Sequence, residues 1–126
     1  MLIRAATDDD RQAVWEVVEP HIRAGETFAF PPDWSREEAL AYWFAPAHRV
    51  FVAEAEGKVL GSYYLRANQS GAGDHVANAG YATAPAATGR GIARLMCAHS
   101  LEEAKRRGFA AMELNIVVSS NAPAVA

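Results

Sequence analysis

The stretch 83-TAPAATGRGIARLMCAH-99 constrains this chain more than any other. Pro85 and the triplet Gly89-Arg90-Gly91 stand directly ahead of the best helical pattern in the sequence, which runs from about Arg90 to Arg107. Residues 75–83, just before them, are Ala- and Gly-rich and read as a strand. A glycine-rich turn between a strand and a helix favours anions. The first N–H groups of a helix have no internal partners, and the helix dipole adds partial positive charge. Gly89 and Gly91 carry no Cβ, so a phosphate group can approach the backbone. Arg90 and Arg94 add charge-assisted contacts. These residues alone fit a phosphate or pyrophosphate site at 88–94, or a tight turn with no ligand. Two familiar phosphate loops are excluded. No Gly-Lys-Ser/Thr is present for a P-loop, and Arg94 occupies the place where a dinucleotide fingerprint needs a small residue.

The rest of the chain supplies the frame. Leu2 to Ala6 reads as a short strand, and Thr7 caps a helix whose first turn is acidic. Val14, Val17 and Val18 give that helix one buried face to about Glu19, where Pro20 ends or kinks it. The segment 21-HIRAGETFAFPPDW-34 reads as a loop or broken helix. Ser35 and Glu38 form a capping box for a second helix with Leu40, Trp43 and Phe44 on one face, stopping near Pro46. Arg49 to Glu54 and Lys58 to Arg66 form a hairpin turned at Glu56-Gly57. Residues 68–74 are loop. Gly108 is a natural stop for the long helix, and Ala111 to Val118 alternates as a strand. The last strand–helix–strand is a crossover with parallel, right-handed sense. The fold class is therefore α/β, a mixed sheet with helices on both faces.

Length and composition fit one soluble globular domain: 126 residues, 51% hydrophobic and 21% charged. A membrane span needs roughly 18 apolar residues, and no run approaches that. The first residues lack a signal-peptide pattern, so a cytoplasmic protein is expected. Cys97 is the one cysteine. It excludes an internal disulfide and a cysteine-based zinc cluster, and in an apolar helical run it reads as a small core residue. A net charge of −3 gives no support to a nucleic-acid surface. The Lys105-Arg106-Arg107 cluster complements the dipole at a helix end.

Thr83-Ala84-Pro85 followed by Thr88-Gly89-Arg90-Gly91-Ile92-Ala93 resembles the acetyl-CoA motif of the GCN5-related N-acetyltransferases, Arg/Gln-x-x-Gly-x-Gly/Ala after a strand ending in Val-x-Pro. The element order is similar too. The segment 111-AMELNIVVSSNAPAV-125 resembles the family's next strand and the start of its following helix, and 25-GETFAFPP-32 is similar to the acceptor loop of members that acetylate amino acids and related small molecules. The resemblance implies a mostly antiparallel sheet with a splayed parallel pair, 75–83 and 111–118, that holds acetyl-CoA in the gap, with no metal. It implies that Tyr81, Ala82 and Thr83 hold the pantetheine arm and thioester carbonyl. Thr88, Gly89, Arg90, Gly91, Ile92, Ala93 and Arg94 take the pyrophosphate, and Asn121 contacts the arm. Phe28, Phe30 and Trp34 line the acceptor pocket, an assignment that core packing explains equally well.

Two departures stand out. Thr88 replaces the usual Arg or Gln. The family continues with a helix and two strands, often with a Tyr as general acid, whereas this sequence stops at Ala126. We expect a C-terminally incomplete domain, or a second copy covering the apolar edge at Ile116 and Val118. A homodimer is the default.

The implied reaction is direct attack of a small-molecule amine on a thioester. An α-amino group, with a pKa of about 8, needs less deprotonation than a Lys amine at about 10.4, and a thiol leaving group near 8.5 needs little acid assistance. Positioning and backbone polarisation carry most of the work, so Cys97 need not be a nucleophile. Glu26 is the first base candidate, because it lies in the acceptor loop. Glu54, His75 and Asn78 follow, while His21 and His99 read as helix-surface or core-edge residues. A non-catalytic acyl-CoA-binding module and a nucleotide-binding domain are the competing readings. Release of free CoA thiol separates the first from the enzyme, and stabilisation by NAD or ATP marks the second.

Overall fold

The computed structural model describes residues 2–24, 31–67, 76–87, 91–108 and 111–116. Five strands form one sheet in sequence order: β1 (Leu2–Ala5), β2 (Arg49–Ala55), β3 (Lys58–Ala67), β4 (Val76–Thr83) and β5 (Ala111–Ile116). The first three pairings are antiparallel and β4–β5 is parallel. The helices are α1 (Arg11–Arg23), α2 (Arg36–Trp43) and α3 (Ile92–Arg106). The mixed, mostly antiparallel sheet with flanking helices is the class expected above.

Strand alternation divides the interior into two cores. Val52, Tyr64 and Ala82 face α1 and α2, where Val14, Val18, Ile22 and Trp43 pack on them. Phe51, Tyr63, Leu65 and Tyr81 point the other way, onto Ile92 and Met96 of α3. Trp43, 1% exposed, satisfies its indole by donating to Ser62 Oγ at 3.0 Å, and Ser62 donates on to Phe51 O at 2.8 Å. A buried aromatic of this size stabilises by roughly 3 kcal/mol only if its polar tip is paired.

The local signals hold where they are chemically specific. Ser35 and Glu38 form the reciprocal cap, with Glu38 N–H on Ser35 Oγ at 3.1 Å and Ser35 N–H on Glu38 Oε1 at 2.9 Å. Glu56 (φ 54°) and Gly57 (φ 78°) make the hairpin turn with positive φ at both positions. Gly108 (φ 87°) closes α3, its N–H donating to Lys105 O at 3.0 Å.

Two boundaries differ from the sequence reading. The first helix does not stop at Glu19; α1 passes through Pro20 to Arg23. Pro20 removes one backbone donor, but His21 and Ile22, 1% and 0% exposed, continue the buried stripe of Val14, Val17 and Val18. Burial of those side chains outweighs the lost bond. Helix α3 begins at Ile92, not near Arg90, because Gly91 sits at φ 75°, a left-handed conformation that cannot continue a right-handed helix.

The parallel ladder is paired from Val76↔Ala111 to Tyr81↔Ile116. The splayed part expected of this pair is not seen over these residues. Any opening begins past Tyr81, and residues 117–126 lie outside the described residues.

Candidate active site

The site begins at the C-terminal end of β4. Ala84 N–H donates to Leu60 O at 2.8 Å, which fixes the alternation of backbone groups. Even-numbered residues of β4 turn theirs to β3 and odd-numbered ones to β5. Tyr81 is in the last described pair with β5. Thr83, the next odd residue, therefore carries its N–H and C=O one step past that pair, on the β5 side. Thr83 is 5% exposed, and its Oγ1 is buried without a hydrogen-bond partner among the described residues.

Tyr81 brings neither group to that edge: its backbone is paired with β5, and its side chain turns away. Its ring packs toward α3, where its hydroxyl bonds Ser100 Oγ and Ser100 donates to Cys97 O at 2.7 Å. Burial pushes the Tyr81 phenol well above its usual pKa. Cys97 packs beside the same core, as a small core residue does.

After Thr83 a short 3-10 turn, Pro85–Ala87, leads toward α3. No side chain caps α3 at Gly91, and a Cβ built on Gly91 would meet nothing within 4 Å. The N–H groups of Ile92, Ala93 and Arg94 have no acceptor within the helix and stand at the positive end of its 15 residues. Ile92, 1% exposed, anchors that first turn in the core, while Arg94 is exposed. This geometry fits a diphosphate, with Gly91 leaving the approach clear. Thr88, Gly89, Arg90 and Asn121 lie outside the described residues.

On the α1/α2 face, next to β4, stands an aromatic group. Trp34 lies 6.2 Å from Tyr42, ring to ring. Tyr42 and Tyr64 join through their hydroxyls at 3.1 Å. His48 stacks flat on Tyr64 at 4.2 Å. The Tyr64 ring lies over Gly80, where any Cβ would collide with it. One row further along, Arg66 of β3 stands opposite Asn78 of β4. His48 Nε2, Arg66 Nε and Asn78 Oδ1 are all buried without partners among the described residues. His48 Nδ1–H donates to Trp43 O at 3.0 Å, so Nε2 carries the lone pair. Burial, helped by the charge of Arg66, lowers the His48 pKa against the opposing Trp43 bond. The unpaired set is one donor and two acceptors.

The other candidates separate. Glu26, Phe28, Phe30 and His75 lie outside the described residues. Glu54 accepts from Arg4 Nε at 2.9 Å on the β1 side of the sheet, away from β4. His99 Nδ1 bonds Tyr63 OH at 2.6 Å beneath α3. His21, read from sequence as a helix-surface or core-edge residue, is buried and donates from Nε2 to Thr83 O at 2.6 Å. Neither His48 nor Arg66 carries a local signal. Strand register brings Arg66 to Asn78, and His48 joins them by stacking on Tyr64. Among the described residues no cluster of His, Cys, Asp or Glu could hold a metal ion.

The sequence model of the acetyltransferase (GNAT) family matches residues 13–126. The chain belongs to that family. It is 27% identical to N-acetyltransferase aca1 of Schizosaccharomyces pombe over 79% of this chain, and it spans 56% of that relative's length. A GCN5-related N-acetyltransferase from Kribbella flavida superposes with a TM-score of 0.78 at 38% identity, covering 86% of this chain and 67% of that one. The protein yncA from Salmonella typhimurium, solved with its cofactor acetyl-CoA, superposes at 0.77 with 24% identity, covering 90% and 68%. That last likeness is one of fold.

Proposed function

We propose that this chain transfers an acetyl group from acetyl-CoA to the amine of a small molecule, such as an amino acid or related compound. The observation that carries the reading is Gly91, which opens the N-terminus of α3 behind β4 in a chain of the GNAT family. The N–H groups of Ile92 to Arg94, with Gly89 and Arg90, take the pyrophosphate. Acetyl-CoA supplies the activated thioester. The backbone of β4 at Thr83, past the last described pair with β5, supplies the edge along which the arm lies, and its N–H receives the carbonyl oxygen and the charge that develops on it.

The acceptor approaches from the Trp34, Tyr42 and Tyr64 side. Its nitrogen forms the new bond to the carbonyl carbon as the C–S bond breaks, and the proton it loses ends on the thiolate. The unpaired atoms of His48, Arg66 and Asn78 support a polar acceptor, because they offer two lone pairs and one cationic N–H to whatever lies beside Tyr64. In this reading the protein works in the cytoplasm without metal, nucleic acid or membrane. A second copy is the default partner.

Calorimetric titration with acetyl-CoA tests the cofactor half. Wild type binds, and a folded Gly91→Asp variant does not. Release of CoA thiol with a panel of small amines tests the chemistry. Binding without thiol release from any amine would leave a non-catalytic acyl-CoA module. A folded chain that binds no acetyl-CoA sinks both.

A further inference from the structure

We infer that His21 is a positioning residue for the acyl-carrying arm, because it takes the carbonyl of Thr83 just past the last described pair of β4 with β5. The inference rests on the acetyl-CoA reading above. Two parallel strands zip together wherever their backbone groups need partners, since a buried unpaired carbonyl or N–H is costly. A ligand can lie between them only if something else satisfies the strand at that point. His21 projects from the last turn of α1 and is 1% exposed. Its Nε2–H donates to Thr83 O at 2.6 Å, and Ala84 N–H of the same peptide group is held by Leu60 O at 2.8 Å. Both ends of that peptide are thus tied to elements other than β5.

The consequence is chemical. Thr83 N–H points to the same side as its carbonyl. With His21 on the carbonyl, the Thr83 N–H is the group that calls for an acceptor, and the carbonyls of an acyl-pantetheine arm are acceptors. The Thr83 Oγ1, buried and without a partner among the described residues, is a further polar atom of the same residue.

The test compares two ligands on the full chain. Acetyl-CoA spans the nucleotide site and the arm slot, whereas adenosine 3′,5′-bisphosphate reaches only the first. His21→Leu lowers affinity for acetyl-CoA by roughly tenfold, the effect of one buried hydrogen bond, and leaves the bisphosphate unchanged. His21→Gln, which keeps an N–H donor, restores most of the loss. Equal acetyl-CoA affinity in His21→Leu, or parallel losses for both ligands, overturns the inference. Should His21→Leu fail to fold, imidazole nitrogen resonances of the wild type decide instead. They shift on addition of acetyl-CoA and not of the bisphosphate; the same response to both, or to neither, overturns it. A wild type that binds the bisphosphate and acetyl-CoA equally well also overturns it, and one that binds neither removes the acetyl-CoA reading itself.

Discussion

Gly91 and Gly80 are glycines for opposite reasons, and substitutions tell them apart. At Gly91 there is space but an unfavourable φ of 75°. Gly91→Ala therefore folds and loses about 1 kcal/mol, the left-handed penalty of a residue with a Cβ, measurable by urea denaturation. At Gly80 there is no space, because the Tyr64 ring fills it. Gly80→Ala is expected to lose about 1–3 kcal/mol through overpacking, although Ala is otherwise the better strand residue. In a Tyr64→Ala background the same substitution becomes neutral or stabilising. A double-mutant cycle without that coupling removes the steric account. Glycine-rich sequence announces both positions as special, yet only the folded backbone shows which one has open space beside it and which a ring.

The join between β1 and α1 is an ion cluster, and its pH dependence has a defined sign. Arg4 donates to both oxygens of Asp10, at 2.8 and 3.0 Å, and Thr7 N–H adds a bond at 2.7 Å. Those bonds to Arg4, against an opposing effect of burial, lower the Asp10 pKa from an ordinary 3.8 to about 2. A depressed carboxylate pKa stabilises the fold above the unfolded value and ceases to do so as pH falls through the folded one. Asp10 thus contributes about 2 kcal/mol at neutral pH that is lost between about pH 4 and pH 2. In Asp10→Asn the stability curve flattens over that window, and an unchanged acid limb counts against the assignment. Short-range chemistry of this kind was readable from the chain: the Ser35–Glu38 cap, the Glu56-Gly57 turn and the Gly108 stop each depend on neighbours a few residues apart. Pro20 misled because a local rule met a tertiary fact, the burial of His21 and Ile22. The group of His48, Arg66 and Asn78 was illegible for the same reason, since Arg66 meets Asn78 only through strand register and His48 joins them by stacking on Tyr64.

At the scale of the molecule, the proposed cofactor site joins segments that are distant in sequence. His21 comes from α1, Thr83 from β4 and the open N–H groups from the start of α3, and the two helices lie on opposite faces of the sheet. A ligand held by Thr83 and the start of α3, with His21 behind Thr83, binds only the folded chain, so its binding energy appears as global stability. At about 100 times its dissociation constant such a ligand adds about 2.7 kcal/mol. For a domain of this size that raises the melting temperature by roughly 10 °C. Acetyl-CoA is expected to produce that shift in thermal unfolding followed by circular dichroism. Adenosine 3′,5′-bisphosphate, which engages only the start of α3, binds the same folded state, so at the same multiple of its own dissociation constant its shift is set by the same ratio. At strictly equal occupancy of a two-state fold the two shifts coincide. Comparison at equal ligand concentration is therefore the informative one. There the extra contacts of the arm with β4 give acetyl-CoA the larger shift, and a shift no larger than that of the bisphosphate means that the arm finds no place beside Thr83.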